Sequence, residues 1–194
     1  MGMELLVGKK APAFKEKAAH EGKIIDNFSL EQFEGKYVIF FFYPLDFTFV
    51  CPTELHAFAE AAGEFAKRNT QVVGCSVDSV YSHLAYLQTP KAKGGIEGVT
   101  YPIVADITKN IARSYQVLSE EEGVAYRGLF LLDKKGVIRH QLINDLPLGR
   151  SISEALRMID ALDFYEKNGE VCPANWKPGE KTMTPDQEGL ASFF

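Results

Sequence analysis

The segment FFYPLDFTFVCPTEL, residues 41–55, holds a single cysteine, Cys51, among apolar and aromatic residues. Thr48 lies three residues before Cys51, so its hydroxyl can reach the same turn of the chain. Pro44 and Pro52 stiffen the chain on both sides. A thiol in the first turn of a helix lies near unpaired N–H groups and the positive end of the helix dipole, which favour the thiolate. This spacing therefore indicates a reactive, nucleophilic cysteine.

A cysteine in such surroundings can also pack, bind a metal ion or form a cross-link. Buried cysteines most often act as small hydrophobic residues, and composition alone leaves that role open for Cys51. The neighbouring side chains of Phe47, Phe49 and Val50 can separate the thiol from bulk water, which favours a protected reactive group. A nearby cation such as an arginine would favour the thiolate further, and that cation must come from a distant part of the chain.

The composition limits the partners and the compartment of the chain. Its 194 residues carry a formal net charge of −5, which argues against nucleic acid as a partner because phosphate contacts need a basic surface. No run of 18 apolar residues is present, so no membrane partner is expected. Three cysteines, four scattered histidines and no CxxC pair argue against a disulfide framework and a zinc site. With no export signal near the amino terminus, these features predict reduced thiols in the cytoplasm.

Hydrophobic periodicity places this chemistry on alternating strands and helices. Buried strands are predicted at residues 37–43, 71–78 and 101–104, and helices at residues 52–68, 80–88 and 107–115. Strands at 125–133 and 137–143 are predicted to form a hairpin around residues 134–136. A long amphipathic helix follows at 151–169, with Gly169 as its stop.

This order of elements predicts an α/β fold with a mixed central β-sheet flanked by helices. The sheet should be parallel in its first part and antiparallel in the hairpin. A thioredoxin-like fold has this pattern, although the pattern alone does not single it out. We expect one domain over residues 1–194, in which residues 170–194 form a C-terminal arm. The arm is rich in proline, glycine and polar residues, so loops are predicted to dominate it.

Four segments resemble, in order, those of one known family. Pro44, Thr48 and Cys51 form the P-x-x-x-T-x-x-C motif of the peroxiredoxins, within the run FYPLDFTFVCPTE. The segments RGLFLLD at 127–133, NDLPLGRS at 144–151 and GEVCPANWKPG at 169–179 are also similar to the typical 2-Cys class. The resemblance to this class, which includes the peroxidase component of alkyl hydroperoxide reductase and the thioredoxin peroxidases, covers essentially the whole chain. It implies a thioredoxin-like fold.

The resemblance implies a thiol peroxidase that serves antioxidant defence and cell redox homeostasis. Cys51 is then the peroxidatic cysteine, whose thiolate attacks hydrogen peroxide or an organic hydroperoxide and becomes a sulfenic acid. Thr48 would hydrogen-bond the peroxide, and Pro44 would shield the site. Arg127 would stabilise the thiolate and the charge that moves onto the leaving oxygen. By position alone, Arg127 fits a surface charge on a strand equally well.

Two further residues are implied to support this site. Glu54, three residues after Cys51, would orient Arg127, and Arg150 would join the same network. By position alone, Glu54 is an acid in the first turn of a helix, where it favours the helix dipole.

The resemblance makes Cys172 the resolving cysteine, which condenses with the sulfenic acid of Cys51 to form a disulfide. In the family this cysteine comes from the other subunit of a dimer. A disulfide needs Cα atoms within about 4.4–6.8 Å, and a cysteine in a helical turn behind aromatic residues is poorly placed to reach one. We therefore expect local unfolding around Cys51 and in the arm after Gly169. Cys75 lies in a predicted buried strand and is expected to be inert.

The implied partners follow from the thiol being the redox centre, so no metal, haem or flavin cofactor is expected. Thioredoxin, or alternatively a dedicated flavoprotein disulfide reductase, would reduce the disulfide. A homodimer that assembles into a decamer of five dimers is also implied. Among rival functions, a thioredoxin-type oxidoreductase needs a second cysteine where Glu54 stands, and a Cys–His hydrolase needs a histidine motif that we do not recognise. A holdase chaperone role can exist beside the peroxidase.

Two motifs that are linked to over-oxidation are each only partly present in this sequence. Sensitive members of the class carry a GGLG loop and a carboxyl-terminal YF pair, which brace the folded site and slow resolution. Here the loop reads Gly94-Gly95-Ile96-Glu97 with Gly98 one place late, and the chain ends Ser192-Phe193-Phe194. We predict intermediate sensitivity to over-oxidation, tending towards robust.

Overall fold

A mixed sheet of seven strands forms the centre of the structure, a computed structural model that describes residues 5–194. Residues 1–4 lie outside the described part, and with them the start of the segment used to judge an export signal. The strands are β1 (Glu16–His20), β2 (Lys23–Phe28), β3 (Tyr37–Phe42), β4 (Thr70–Ser76), β5 (Ile103–Ala105), β6 (Leu118–Ser119), β7 (Val124–Ala125), β8 (Arg127–Leu132) and β9 (Ile138–Asn144). The helices are α1 (Cys51–Glu60), α2 (Ala62–Lys67), α3 (Val80–Gln88), α4 (Asn110–Ser114), α5 (Ile152–Asn168) and α6 (Gln187–Phe193).

The strands of the sheet follow the order β2-β1-β5-β4-β3-β8-β9, and β6 and β7 form a separate two-stranded ribbon. β3 runs parallel to β4 and antiparallel to β8, with Phe40 opposite both Val73 and Phe130. β4 runs parallel to β5, and β8 and β9 form an antiparallel hairpin. The predicted α/β fold, with a parallel first part and an antiparallel hairpin, is confirmed.

The central strand β3 is buried along its whole length, because it has a neighbouring strand on each side and apolar packing around it. The ring of Phe40 lies 4.8 Å from that of Phe42 and 5.1 Å from that of Tyr115, centroid to centroid. Full burial of one such side chain contributes about 1.5–3 kcal/mol. β3 therefore fixes the start of the loop 43–50, which follows it directly and contains Pro44 and Thr48.

Two predicted helices have different bounds in the structure. The predicted helix at 52–68 is divided at Ala61 into α1 and α2, because Ala61 leaves the helical region with ψ at 4°. The apolar spacing continues through this break, so periodicity could not reveal it. The predicted helix at 107–115 shortens to α4, because Lys109 just before it adopts a left-handed conformation with φ at 62°.

Several elements were not predicted from the sequence, namely strands β1, β2 and β6 and helix α6. The hairpin of β1 and β2 turns at Glu21 and Gly22, which both have positive φ, and β1 joins the sheet beside β5. Helix α6 lies in the segment expected to be mostly loop, and it begins after Asp186, whose side chain accepts a hydrogen bond from the Gly189 N–H at 2.6 Å. An Asp three residues before a glycine-containing apolar run is a weak signal for a helix start.

The internal contacts divide the chain into two compact units, one that ends at Ile152 and one that covers Ser153–Phe194. In the second unit, the ring of Trp176 packs on Phe164 at 5.2 Å, and Arg157 donates a hydrogen bond to the Trp176 carbonyl at 3.3 Å. Val171 forms an antiparallel bridge with Met183. A single domain over residues 1–194 with an arm from residue 170 stays a prediction. No helix within residues 5–194 is long and apolar enough to span a membrane.

Candidate active site

Cys51 is the first residue of α1 and is fully buried. The helix begins one residue earlier than predicted, which places Pro52 at its second position. The hydroxyl of Thr53 donates to the Val50 carbonyl at 2.6 Å and closes the first turn. The thiol therefore lies in a helical first turn and out of contact with bulk water.

Arg127 supplies the distant cation. It is the first residue of β8, which pairs with β3, and its side chain is only 4% exposed. Its Nη1 lies 3.5 Å from Cys51 Sγ and donates to Glu54 Oε2 at 2.7 Å, while Nε donates to the Leu146 carbonyl at 2.7 Å. A surface position for Arg127 is therefore wrong, and the guanidinium is fixed against the sulfur.

Glu54 connects Arg127 to a second buried cation, Arg150. Arg150 donates to the Glu54 carboxylate through Nε at 2.7 Å, through Nη2 at 3.0 Å and through its backbone N–H at 2.9 Å. Its Nη1 also donates to the carbonyls of Phe42 and Gly128, at 2.7 and 2.6 Å. Burial lowers the pKa of Arg150, and the charge of Glu54 opposes that shift. The carboxylate is shared by two guanidinium groups, which leaves one net positive charge beside the thiol.

The loop before Cys51 places Pro44 and Thr48 differently. Pro44 is buried, whereas Thr48 is half-buried and its hydroxyl donates to the Leu45 carbonyl at 3.0 Å. Phe49 is 93% exposed, so the prediction that it separates the thiol from water is wrong. Phe47 adopts a left-handed conformation with φ at 55°, which turns its ring onto that of Tyr86 and leaves Phe49 in solvent.

The same loop is held by a buried polar network that was not predicted from the sequence. Asp46 accepts hydrogen bonds from the hydroxyls of Tyr43 and Ser82, both at 2.7 Å, and contacts His83 Nδ1 at 2.9 Å. Its backbone N–H donates to Asp78 at 2.9 Å. Burial, followed by the charge of Asp46, raises the pKa of Asp78. An aspartate within the apolar run 41–50 was the available signal, because a buried charge must find partners.

The three cysteines are free and occupy different environments. Cys75 is fully buried in β4, and burial raises the pKa of its thiol well above the ordinary value. Cys172 is partly exposed in the second unit, and its thiol donates to the Ala161 carbonyl at 3.6 Å. Burial raises the pKa of Cys172, and the charge of Arg157 opposes the shift. Cys51 is therefore the thiol with a guanidinium at hydrogen-bond distance.

Comparisons with known proteins identify the family of this chain. The AhpC/TSA family model matches residues 7–141, and the model for the C-terminal domain of 1-Cys peroxiredoxin matches residues 161–194. The chain is 53% identical to a thioredoxin peroxidase of Echinococcus granulosus, covering 99% of each chain. It is also 53% identical to a chloroplastic 2-Cys peroxiredoxin of Hordeum vulgare, over 97% of this chain and 90% of that one.

A solved structure shows the same fold. The crystal structure of reduced 2-Cys peroxiredoxin from Plasmodium vivax superposes with a TM-score of 0.94 at 47% identity, covering 98% of both chains. Its thioredoxin-like fold agrees with the sheet order of β3, β4, β5 and β8 described above. With a family model over more than half of the chain and relatives above 50% identity, this chain belongs to the AhpC/TSA family and is a peroxiredoxin, a thiol-dependent peroxidase.

Proposed function

We propose that Cys51 is the peroxidatic cysteine of this peroxidase. Its thiolate attacks the terminal oxygen of a hydroperoxide, so an S–O bond forms as the O–O bond breaks. Cys51 is oxidised to a sulfenic acid, and the peroxide is reduced to water or an alcohol once the leaving oxygen takes up a proton. The observation that carries this proposal is the distance of 3.5 Å between Cys51 Sγ and Arg127 Nη1 in a buried first turn.

The surrounding residues divide the work of stabilising charge and positioning the substrate. Arg127 lies where negative charge starts on sulfur and moves onto the leaving oxygen, and a preorganised donor there lowers the barrier. Thr48 can turn its hydroxyl from the Leu45 carbonyl to a peroxide oxygen. Buried Pro44 shields the thiol from water. Glu54 and Arg150 act as positioning residues, because they hold Arg127 without contact to sulfur.

Cys172 is the proposed resolving cysteine, contributed by the partner subunit of a homodimer. Its thiolate attacks the sulfur of the sulfenic acid, so an S–S bond forms as the S–O bond breaks, and the oxygen leaves as hydroxide that takes up a proton to become water. Cys51 is fully buried, so its turn must first unwind, as expected for a thiol behind a closed loop. Burial raises the pKa of the Cys172 thiol, so exposure of this segment to solvent would favour the attacking thiolate.

An exposed sheet edge supports the homodimer. β9 is the last strand of the sheet, and residues 8–11 form backbone hydrogen bonds and a bridge with residues 136–138, at its start. Within residues 5–194 the rest of β9 pairs with β8 alone. An open edge strand is a template for pairing with another chain. Pairing of β9 with its copy would form one continuous sheet across the dimer, and five such dimers would form the proposed decamer.

Thioredoxin is the proposed electron donor, since a close relative is named a thioredoxin peroxidase. A dedicated flavoprotein reductase is the alternative. A cytoplasmic location is also part of the proposal, and the chloroplastic relative from Hordeum vulgare shows that the family occupies other compartments too.

Serine substitutions of the three cysteines test this assignment. Cys51→Ser should abolish peroxide consumption with thioredoxin and thioredoxin reductase, whereas Cys75→Ser should leave it unchanged. Oxidised wild-type protein should run as a covalent dimer on non-reducing gels, and Cys172→Ser should run as a monomer. Peroxide consumption that survives in Cys51→Ser would contradict the proposal. A disulfide-linked monomer in the wild type would contradict resolution between subunits.

A further inference from the structure

Tyr86 in α3 carries a buried hydroxyl without a hydrogen-bond partner in the described part of the chain, residues 5–194. Other buried tyrosines are satisfied: Tyr43 bonds to Asp46 at 2.7 Å, and Tyr101 bonds to the Leu55 carbonyl at 2.8 Å. An unpaired hydroxyl in the interior destabilises a fold, so each one calls for a physical reason.

The ring of Tyr86 packs against the loop that leads to Cys51. The Tyr86 ring packs on Phe47 with centroids 4.6 Å apart, in the loop that leads through Thr48 to Cys51. Phe47 holds a left-handed conformation that a bulky residue rarely adopts, so the backbone of the loop is strained at the residue that packs on Tyr86. Burial raises the pKa of Tyr86, and the charge of Cys51 raises it further.

The hydroxyl of Tyr86 has no hydrogen-bond partner of either kind among residues 5–194. Its O–H proton therefore lacks an acceptor within the described part of the chain. In this reduced state Cys51 carries no oxygen that could accept it.

We propose that the Tyr86 hydroxyl donates a hydrogen bond to the oxygen that Cys51 gains when a peroxide oxidises it. The proposal rests on Cys51 being the peroxidatic cysteine. When the S–O bond forms and the O–O bond breaks, one peroxide oxygen stays on sulfur and brings lone pairs into a buried site. An oxygen there needs a donor, and Tyr86 offers one that no other group among residues 5–194 uses.

This bond would exist only in the folded, oxidised state, so it would stabilise the sulfenic acid against the unwinding that resolution needs. One such hydrogen bond shifts the equilibrium between the folded and the unwound form of the oxidised site about fivefold. It slows disulfide formation and lengthens the time in which a second peroxide can oxidise Cys51 to the sulfinic acid. Tyr86 is thus a residue that sets the partition between resolution and over-oxidation.

Tyr86→Phe removes the hydroxyl and keeps the ring on Phe47. After one equivalent of hydrogen peroxide, we expect Cys51 to be oxidised at the wild-type rate within a factor of about two. Disulfide formation with Cys172, followed by mass spectrometry of quenched samples, should be about fivefold faster. Tyr115→Phe is the matched control, because Tyr115 is equally buried and its hydroxyl donates to the Pro12 carbonyl at 3.2 Å. It should leave the partition unchanged.

A second measurement does not depend on the resolving cysteine. In a Cys172→Ser background, trapping of the Cys51 sulfenic acid by dimedone should be about fivefold faster with Tyr86→Phe than with Tyr86. Equal trapping and an equal partition would overturn the proposal, and so would a roughly tenfold loss in the first oxidation step, which would place the hydroxyl on the peroxide instead. Wild-type protein that forms no sulfenic acid on Cys51 would overturn the proposed function as well, and it is recognised by the missing dimedone adduct.

Discussion

Glu54 holds Arg127 through a 2.7 Å hydrogen bond to Nη1, the same nitrogen that lies 3.5 Å from Cys51 Sγ. The position of one cation therefore depends on a carboxylate that never touches the thiol. Because Glu54 is also bound by Arg150, it is the shared counter-charge of two buried guanidinium groups.

Glu54→Gln should impair both stability and activity. It leaves two buried cations without a counter-charge, and breaking a buried ion pair on one side costs about 3–5 kcal/mol. The free energy of unfolding in urea should fall by that amount, and peroxide reduction should slow about 10–100-fold as Arg127 loses its orientation. Glu64→Gln is the control, since Glu64 pairs with Lys67 and Arg68 at the surface, and it should change neither quantity. Unchanged activity in Glu54→Gln would contradict a positioning role.

Thr48→Val should slow peroxide reduction, because it removes the hydroxyl and keeps the shape of the side chain. We expect a loss of about 10²–10³ in kcat/KM, typical for the loss of one donor in a preorganised site. Thr48→Ser keeps the hydroxyl and should stay within a few-fold of wild type. Steady-state rates with thioredoxin as donor provide the comparison, and equal losses in both variants would point to packing rather than to hydrogen bonding.

Gly95→Ala should destabilise the protein, because an added Cβ would overlap the Thr89 carbonyl group. The segment must then move, and the hydrogen bond between His56 Nε2 and the Gly95 carbonyl, now 3.1 Å, would break. We expect a loss of about 1–3 kcal/mol in the free energy of unfolding.

Gly63→Ala is the matched control for this substitution. Gly63 lies in α2 with open space around it, so alanine should stabilise the helix by about 0.5–1 kcal/mol. Denaturant melts should show a lower free energy of unfolding for Gly95→Ala and a higher one for Gly63→Ala. An unchanged value in Gly95→Ala would show that the turn at residues 89–95 can adjust to the added Cβ.

Stability should fall in alkaline solution. Burial raises the pKa values of Cys75, Tyr43 and Tyr101 well above their ordinary values, near 9 and 10. Above those ordinary values the unfolded chain loses protons that the folded chain retains, so the stability present at lower pH is lost as pH rises. Each group costs about 1.4 kcal/mol per pH unit in that range. Urea melts of the reduced protein from about pH 7 to about pH 11 measure this, and a flat profile would contradict it.

Over-oxidation should begin only above stoichiometric peroxide, as expected from the half-kept motifs at Gly94–Gly98 and at the carboxyl terminus. Helix α6 ends the chain, and Lys181 donates to the carbonyls of Ser192 and Phe193 at 2.6 and 2.8 Å. A peroxide titration read by mass spectrometry tests this prediction. Sulfinic Cys51 at near-stoichiometric peroxide would place the protein among the sensitive members of the class.

The sequence alone determined the local chemistry and the order of elements. A buried strand, a loop with Pro44 and Thr48, and a helix start within one residue of Cys51 are encoded by neighbouring residues, so periodicity and turn signals are enough to find them. The family motifs also pointed to Arg127, Glu54 and Arg150. They could not say that these side chains are buried, because burial depends on strands far apart in the chain.

Only the tertiary structure decided how the site is assembled. Pairing of β3 with β8 brings Arg127 to Cys51, 76 positions away. The tertiary structure also places Phe49 in solvent and surrounds Asp46 with a polar network. Neither was predicted, because periodicity does not detect the left-handed turn at Phe47. The unpaired hydroxyl of Tyr86 belongs to the same category. Whether a polar group is satisfied depends on what folding brings within about 3 Å of it, and no local pattern contains that information.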